Sequence, residues 1–304
     1  MGGDGPAREI LILRGAAVMA LSSALHQTGL ALLLCGAAAG AFAQPQPAQK
    51  FEPYSGQPGK DVVWVPTDQT LVGRMLDMAK VTPNDFVIDL GSGAGRTVIA
   101  AARRGVTALG IEYEPEMVEL SKRNAAAAGV AARATFVKAD IFETDFSKAT
   151  VITMYLLTSI NLKLRPALLN LKPGTRIVSH AFDMGNWAAD QVETRGGTAY
   201  LWIVPAKVSG TWTWQANGQN YEVQLDQKYQ ELSGRATVGG NPAQLTGAKI
   251  SGDRIVLGIN DGRTPVEFTG RVRGTAIDGT ARGSGSPSKW TATGKLEKPM
   301  TDGT

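Results

Sequence analysis

Short apolar runs alternate with helical stretches between Val62 and Pro205. The runs rich in β-branched residues predict strands at Phe86–Leu90, Thr107–Glu112, Ala134–Lys138, Val151–Tyr155 and Arg176–His180. The stretches between them predict helices at Arg96–Arg104, Pro115–Ala127 and Leu162–Leu171. Strands that alternate with helices are typical of right-handed crossovers, which build a parallel sheet with helices on both faces. This part of the chain is therefore predicted to be a doubly wound α/β domain over residues 62–205.

The pattern changes after Pro205, where turn signals recur every eight to twelve residues. These signals are Asn217-Gly218, Ser251-Gly252-Asp253, Asp261-Gly262 and Asp278-Gly279. The runs between them alternate apolar and polar positions, as in Tyr221-x-Val223-x-Leu225. About eight short antiparallel strands over residues 206–297 predict a small β-barrel or sandwich. Trp212, Trp214 and Trp290 are expected to close its core, with a ligand or partner surface as the alternative.

The N-terminal segment has the features of a secretory signal. Gly29–Phe42 is an apolar run, and Ala41-Phe42-Ala43 is a small-x-small end followed by polar residues. We expect cleavage after Ala43, since the run is shorter than the roughly 20 apolar residues of a membrane-spanning helix. An uncleaved anchor or a disordered tail is the alternative. Residues 44–61 are rich in Pro, Gln and Gly and are interpreted as a linker or arm, and residues 298–304 as a tail.

Composition excludes several classes of function. The 304 residues are 43% hydrophobic and 19% charged, which supports a folded core. The net charge of +4 comes with no Lys/Arg-rich run, so nucleic acid is not an expected partner. Cys35, His26 and His180 are the only cysteine and histidines, which excludes a Cys/His zinc site, and no other metal site is predicted. Cleavage after Ala43 would leave no cysteine, which suits an oxidising compartment.

The candidate chemistry lies at Asp89-Leu90-Gly91-Ser92-Gly93-Ala94-Gly95-Arg96. A predicted strand ends here, glycines turn the backbone, and a helix begins, which is the usual place for a cofactor in a doubly wound sheet. A dinucleotide fingerprint starting at Gly91 would need glycine in place of Arg96. A phosphate loop would need the absent G-K-[ST] triplet.

The pattern D-x-G-x-G-x-G resembles the class I S-adenosylmethionine-dependent methyltransferases. The resemblance implies that the loop, with Gly91, Ser92, Gly93 and Gly95, receives the methionine part of the cofactor. It also implies that Asp89 engages the cofactor's amino group, directly or through water.

The resemblance extends to the ends of the next two predicted strands. It implies that Glu112 binds the ribose hydroxyls, and a carboxylate on two neighbouring hydroxyls is a strong contact. Asp140 is the expected acceptor for the adenine amino group, Ile141 an apolar wall, and Tyr113 a cover for the ribose or adenine. Taken singly, Glu112 is ordinary for a solvated strand end and Asp140 for a turn. Together with Asp89 they follow three consecutive strands, which predicts one shared site.

A narrower resemblance covers residues 62–187. Val65-Pro66-Thr67, the loop ending in Arg96, and Tyr155-Leu156-Leu157 are similar to small methyltransferases related to the mitochondrial protein-lysine enzymes. Those enzymes act on a membrane component of ATP synthase and on the adenine nucleotide translocase. Ala94 stands where that group usually has an acidic residue, and the β-rich C-terminal part is foreign to it.

Candidates for catalysis follow the fourth and fifth strands. Tyr155 closes the fourth strand, and His180 and Asp183 follow the fifth. The [ND]-P-P-[YF] motif of adenine and glutamine methylases is absent at Tyr155, which argues against those acceptors. His180 is a candidate base or a structural histidine, and Thr67 is a candidate to reach over the cofactor.

The sequence thus predicts a methyltransferase that uses S-adenosylmethionine and acts on a protein, through lysine for example, or on a small molecule. A catalytically inactive cofactor-binding protein, with the β domain as an interaction module, is the alternative. A nicotinamide-dependent oxidoreductase is disfavoured by the glycine spacing. The signal-like segment favours an exported or periplasmic protein without a membrane span after cleavage. Because S-adenosylmethionine is made inside cells, a cytoplasmic or membrane-anchored protein is the alternative location.

Overall fold

The computed structural model describes residues 50–297. The signal-like segment and the predicted tail lie outside the described residues. Among residues 50–297, no helix combines the length and the apolar character that crossing a membrane requires.

The first half of the described chain forms a seven-stranded sheet with the order β3-β2-β1-β4-β5-β7-β6. Its strands are β1 Phe86–Leu90, β2 Thr107–Glu112, β3 Ala134–Lys138, β4 Val151–Met154, β5 Arg176–His180, β6 Gln191–Glu193 and β7 Ala199–Ile203. The first five strands pair in parallel. The strand order reverses between β1 and β4, so a crevice forms at the carboxyl ends of these two strands.

Four helices pack on this sheet: α1 Gln69–Met78, α2 Arg96–Arg103, α3 Pro115–Ala127 and α4 Thr158–Leu168. Asp68 caps α1, because its carboxylate accepts hydrogen bonds from the backbone N–H groups of Thr70 and Leu71. Pro115 opens α3, where its missing N–H is not needed. The doubly wound sheet predicted from the sequence is confirmed.

Two parts of this domain differ from the prediction. Helix α4 begins at Thr158, four residues before the expected start, and contains Pro166. Strands β6 and β7 form an antiparallel hairpin that the strand pattern did not reveal, and β7 pairs antiparallel with β5. The sheet is therefore mixed rather than fully parallel.

The second half is a closed antiparallel barrel of eight strands. The strands are β8 Gly210–Ala216, β9 Gln219–Lys228, β10 Glu231–Val238, β11 Asn241–Ser251, β12 Arg254–Asn260, β13 Val266–Arg273, β14 Ala276–Arg282 and β15 Ser288–Leu296. Strand β15 pairs with β8, which closes the barrel and leaves no free edge between them.

The barrel interior is filled by aromatic side chains. Trp212, Trp214 and Trp290 are all buried in one hydrophobic cluster, and the rings of Trp214 and Trp290 lie 5.0 Å apart. Phe268 packs edge-on against both of these rings. The expectation that the three tryptophans close the core is confirmed.

Candidate active site

The loop between β1 and α2 turns on three glycines with positive φ. The φ angles of Gly91, Gly93 and Gly95 are 75°, 51° and 84°, a region that favours glycine. The backbone N–H groups of Gly91 and Ser92 both donate to the carbonyl oxygen of Ile111, at 2.9 and 3.0 Å. The loop is thereby fixed against the end of β2, and it borders a cavity of about 470 Å³.

Asp89 is the buried carboxylate of this cavity. Its Oδ1 accepts a hydrogen bond of 2.6 Å from the hydroxyl of Thr153, its neighbour on β4. Burial raises the pKa of Asp89 to about 7, the Thr153 hydroxyl lowers it, and the charge of Glu112 raises it further. A cation placed beside Asp89 would restore its ionised form.

Glu112 is held by backbone donors on both carboxylate oxygens. Its Oε2 accepts from the N–H of Gly93 at 2.7 Å, and its Oε1 accepts from the N–H groups of Tyr113 and Glu114 at 2.8 and 3.0 Å. A carboxylate offers about four lone-pair positions. Three are therefore engaged by the protein, and one position on Oε2 remains for a ligand.

Asp140 lies at the far end of the cavity in an ion pair with Lys60. This pairing lowers the pKa of Asp140 and raises the pKa of Lys60. The Lys60 ammonium also lies 4.7 Å from the centroid of the Tyr113 ring. Ile141 lines the cavity beside them.

The arm before α1 forms one wall of the cavity. Residues 57–67 all line it, so this part of the chain is not a free linker. Trp64 packs on the glycine loop so closely that a Cβ on Gly93 would lie 2.5 Å from its Nε1. Arg96 donates to the carbonyl oxygen of Thr67 at 3.1 Å, which ties the end of the arm to α2.

Aromatic side chains gather at the ends of β4 and β5. The Tyr155 ring lies 3.8 Å from the His180 ring and stacks on Phe182 at 5.9 Å, centroid to centroid. Nδ1 of His180 lies 3.1 Å from the hydroxyl oxygen of Thr67. Burial lowers the pKa of His180, which favours the neutral imidazole at neutral pH.

Most of the residues predicted from the sequence line this one cavity: Thr67, Asp89, Gly91, Ser92, Gly93, Glu112, Tyr113, Asp140, Ile141 and Tyr155. Three others lie outside its lining. His180 is behind Tyr155 and Thr67, and Gly95 faces Phe136, whose ring would lie 2.8 Å from an added Cβ. The Asp183 carboxylate instead accepts from the Thr158 hydroxyl and the Gly185 N–H.

Sequence reasoning missed Lys60, Trp64 and Phe182, which also line the cavity. Trp64 carried a signal, because a large aromatic side chain inside a Pro- and Gly-rich arm needs a surface to pack on. Lys60 carried none, since its partner Asp140 is 80 positions away.

Comparison with known proteins identifies the family. A family model described as the ANTKMT methyltransferase domain matches residues 89–191, and one described as histone methylation protein DOT1 matches residues 45–132. A protein-lysine N-methyltransferase of Saccharolobus islandicus is 43% identical over 151 residues, which are 47% of this chain and 94% of that protein. The chain belongs to the class I S-adenosylmethionine-dependent methyltransferases, among the small protein-lysine methyltransferase-like proteins.

Other similar proteins also align with slightly less than half of this chain. A human lysine N-methyltransferase of ATP synthase is 33% identical over 144 residues, which are 47% of this chain and 61% of that protein. A crystal structure titled as an RNA methyltransferase from Salinibacter ruber with S-adenosyl-L-homocysteine has 50% sequence identity and a TM-score of 0.46. It covers 47% of this chain and 96% of that chain. The barrel lies beyond the residues that both family models match.

The residues present fit S-adenosylmethionine. The cofactor has a cationic amino group, a cationic sulfonium, a ribose diol and an adenine ring. The cavity offers the carboxylates of Asp89, Glu112 and Asp140 together with apolar walls, and its volume of about 470 Å³ is within the usual range of ligand sites. The methyltransferase therefore has acidic groups for the cationic and hydroxylated parts of its cofactor, and apolar surface for the adenine ring.

Proposed function

We propose that the protein transfers the methyl group of S-adenosylmethionine to the side-chain amine of a lysine in a protein acceptor. The observation that carries this proposal is the aromatic end of the cavity, where Tyr155 and Phe182 stack beside the glycine loop. The relatives from Saccharolobus islandicus and human are both named as lysine methyltransferases. An aromatic wall suits an amine that must lose its proton and its water before it reacts.

The cofactor residues are assigned from the lining of the cavity. Asp89 would bind the amino group of the methionine part, because a buried carboxylate gains most from a cation placed beside it. Glu112 would accept one ribose hydroxyl on the remaining position of Oε2, and a second hydroxyl would displace a backbone donor. Asp140, with Tyr113 and Ile141, would face the adenine.

The main role of the protein in the reaction is to align the reacting groups. The bound cofactor supplies an electrophilic methyl group on a sulfonium. The Tyr155 and Phe182 rings would align the lysine nitrogen and exclude water, so that its lone pair forms the new C–N bond as the C–S bond breaks. The bond electrons would pass to sulfur and the product would leave as a methylammonium, so each transfer releases the one proton that the lysine ammonium loses before attack. Desolvation by the aromatic wall favours the neutral amine before attack.

Neutral His180 is placed to assist this proton loss. Its ring lies against Tyr155, and its Nδ1 contacts the Thr67 hydroxyl. His180 is outside the lining of the cavity, so the proton would reach it through the hydroxyl of Thr67 or Tyr155. Asp183 would act on the loop after β5 rather than on the acceptor, because its carboxylate bonds within that loop and to Thr158.

The surface around the cavity favours a macromolecular acceptor. Val63, Val65 and Leu157 line the cavity and yet expose 57%, 39% and 42% of their surface. Exposed apolar side chains at the rim of a site mark a contact with another molecule. A protein segment that carries the lysine would cover these side chains.

Mass spectrometry of methylated proteins tests the proposal. The full chain is incubated with methyl-labelled S-adenosylmethionine and a cell extract, and the label is located by residue and by fraction. We expect mono-, di- or trimethyllysine in protein, and at least about tenfold less label with Tyr155→Ala. Leu296→Ala is the control, since Leu296 is an exposed barrel residue that does not line the cavity. Label in RNA, in a small molecule or on another side chain would contradict the lysine assignment.

A further inference from the structure

The turn between β9 and β10 projects from the barrel into the methyltransferase half. Lys228 pairs with Glu231, so Tyr229 and Gln230 form a two-residue turn. Tyr229 has a φ of 56°, a region that normally selects glycine at the first position of such a turn. Despite this conformation its side chain is buried, with 4% exposed. A strained aromatic residue at a hairpin tip persists only where its surroundings hold it.

The tip binds the segment between β5 and β6, residues 181–190, which we term the β5–β6 segment. The Tyr229 ring stacks on Trp187 at 5.7 Å with 15° between the planes, and its hydroxyl donates to Oδ1 of Asn186 at 2.8 Å. Gln230 accepts from Nε1 of Trp187 at 3.0 Å and donates to the carbonyl oxygen of Ala188 at 2.7 Å. Four polar or aromatic contacts thus join the tip to this segment.

Helix α4 holds the same segment from its other side. The Asn161 amide donates to the carbonyl oxygens of Phe182 and Asp183, at 3.2 and 3.0 Å. Arg165 donates to the Met184 carbonyl oxygen at 3.0 Å and to Oδ1 of Asn186 at 2.6 Å. Asn186 therefore accepts from both Arg165 and Tyr229, which makes it the junction of the two supports.

The β5–β6 segment begins with the aromatic wall of the cavity. Phe182 lines the cavity and stacks on Tyr155, four residues before Asn186 in the chain. The Tyr229 ring also lies 5.7 Å from the Arg165 guanidinium of α4, and its carbonyl oxygen accepts from Gln227 within the barrel. The glycine loop has supports of its own, which are β2 and Glu112. A change at the tip is therefore expected to act first on the acceptor end.

We propose that Tyr229 is a positioning residue for the methyl acceptor, and that the barrel serves the reaction by fixing the β5–β6 segment through this hairpin tip. This inference rests on the proposed function, because it takes Phe182 and Tyr155 as the acceptor wall. It assigns the barrel a part in the active site of the same chain, through one buried side chain.

Steady-state kinetics on the full chain test this role. Tyr229→Ala removes the stacked ring, and Tyr229→Phe removes only the hydroxyl that donates to Asn186. We expect Tyr229→Ala to raise the KM for the acceptor, or to lower kcat/KM for it, by about tenfold. The Kd for S-adenosylhomocysteine is expected to change less than about twofold. Tyr229→Phe is expected to show an intermediate loss, and it carries the test if Tyr229→Ala does not fold.

Asn217→Ala is the matched control. Asn217 has a φ of 52° at the turn between β8 and β9, so it occupies a similar backbone conformation at another hairpin tip of the barrel. The side-chain contact that the structure shows for it is an exposed one with Ser288, another residue of the barrel. This variant is expected to keep the acceptor kinetics of the wild type. An equal loss in Asn217→Ala, or unchanged acceptor kinetics in both Tyr229 variants, would overturn the proposal.

Hydrogen exchange provides a measurement that needs no acceptor. Peptides from residues 181–190 are expected to exchange faster in Tyr229→Ala than in Asn217→Ala, while peptides from residues 89–95 exchange alike. Unchanged exchange in the β5–β6 segment would overturn the proposal even if the acceptor is not lysine. A wild-type protein that methylates no lysine would contradict the proposed function alone.

Discussion

Asp89 combines burial with a position on the wall of the cofactor cavity. Burial raises the pKa of Asp89 to about 7, so the carboxyl is largely protonated below neutral pH. Above neutral pH it ionises while still buried, which costs free energy. A carboxyl whose pKa is higher in the folded protein than in the unfolded chain stabilises the fold below the unfolded pKa. This contribution is lost as the pH rises through the folded pKa.

The stability of the cofactor-free protein should therefore depend on pH through this one residue. The melting temperature is compared between Asp89→Asn and the wild type at each pH. We expect the difference, variant minus wild type, to increase by at least about 3 °C from pH 5 to pH 8, because the amide cannot ionise. Thermal unfolding without cofactor is the measurement, and Asp226→Asn, at an exposed position on the barrel, is the control. Parallel pH profiles for Asp89→Asn and the wild type would exclude a raised pKa. Saturating S-adenosylhomocysteine should stabilise the wild type more than Asp89→Asn, by supplying the cation.

At the level of single residues, the sequence predicted some features of the site and missed others. The carboxylates of Asp89, Glu112 and Asp140 were predictable, because each ends a strand or directly follows one and parallel strands bring such ends to one edge. The contacts that hold these carboxylates in place were not predictable from the sequence. The ion pair of Asp140 with Lys60 joins residues 80 positions apart, and no local pattern contains that pairing.

At the scale of elements, the arm before α1 is the part of the chain for which the structure adds most to the sequence-based prediction. Its composition, rich in Pro, Gln and Gly, predicted a linker or an N-terminal arm over residues 44–61, and residues 57–67 form a wall of the cavity. The contacts that hold it down include the packing of Trp64 on Gly93 and the ion pair of Lys60 with Asp140. We therefore expect the arm to move when the adenine end of the cavity exchanges its ligand.

The Lys60 ion pair should slow the release of the cofactor. We expect Lys60→Met to raise the dissociation rate of S-adenosylhomocysteine by about two- to fivefold at low salt, the effect of losing one partly exposed ion pair. The difference should shrink at high salt, because screening weakens the wild-type pair. Stopped-flow fluorescence can follow release, since Trp64 lines the cavity.

Lys148→Met is the control for this measurement, as Lys148 is exposed and lies outside the lining of the cavity. A Lys60→Met protein that releases the cofactor more slowly than the wild type would reverse the interpretation. Lys60 would then compete with the adenine for Asp140 instead of closing the arm over it.

Helix α4 illustrates why element boundaries were harder to predict than element order. It begins at Thr158 rather than near Leu162, and its first turns carry the buried polar residue Asn161. The Asn161 amide bonds to carbonyl oxygens of the β5–β6 segment, at 3.2 and 3.0 Å. An amphipathic pattern finds apolar faces, so a helix turn held by long-range polar contacts falls outside what it detects.

At the scale of the whole molecule, the turn signals predicted the number of barrel strands, and the pattern left open whether they close. Closure depends on the pairing of β15 with β8, which joins the two ends of the domain. The docking of the barrel through Tyr229 was equally hidden, because a buried tyrosine at a hairpin tip resembles an ordinary strand residue in the sequence.

The location of the protein stays a prediction from its first residues. We expect the full chain, expressed from its own start in a bacterial host, to be exported and to begin at Gln44. The reason is the small-x-small end Ala41-Phe42-Ala43 after an apolar run. Cell fractionation with N-terminal sequencing measures both. Ala43→Leu should block cleavage, and an unprocessed wild-type chain in the cytoplasm would show that the segment is not a cleaved signal.

The arm has a practical consequence for work on this enzyme. Its residues 57–67 belong to the cavity, so the chain upstream leads directly to the binding site. A tag or a deletion junction placed directly before residue 57 is therefore a change next to the binding site. A shortened chain that begins after Trp64 would lack eight of the residues that line the cavity, and a low turnover of that chain would then say nothing about the choice of acceptor.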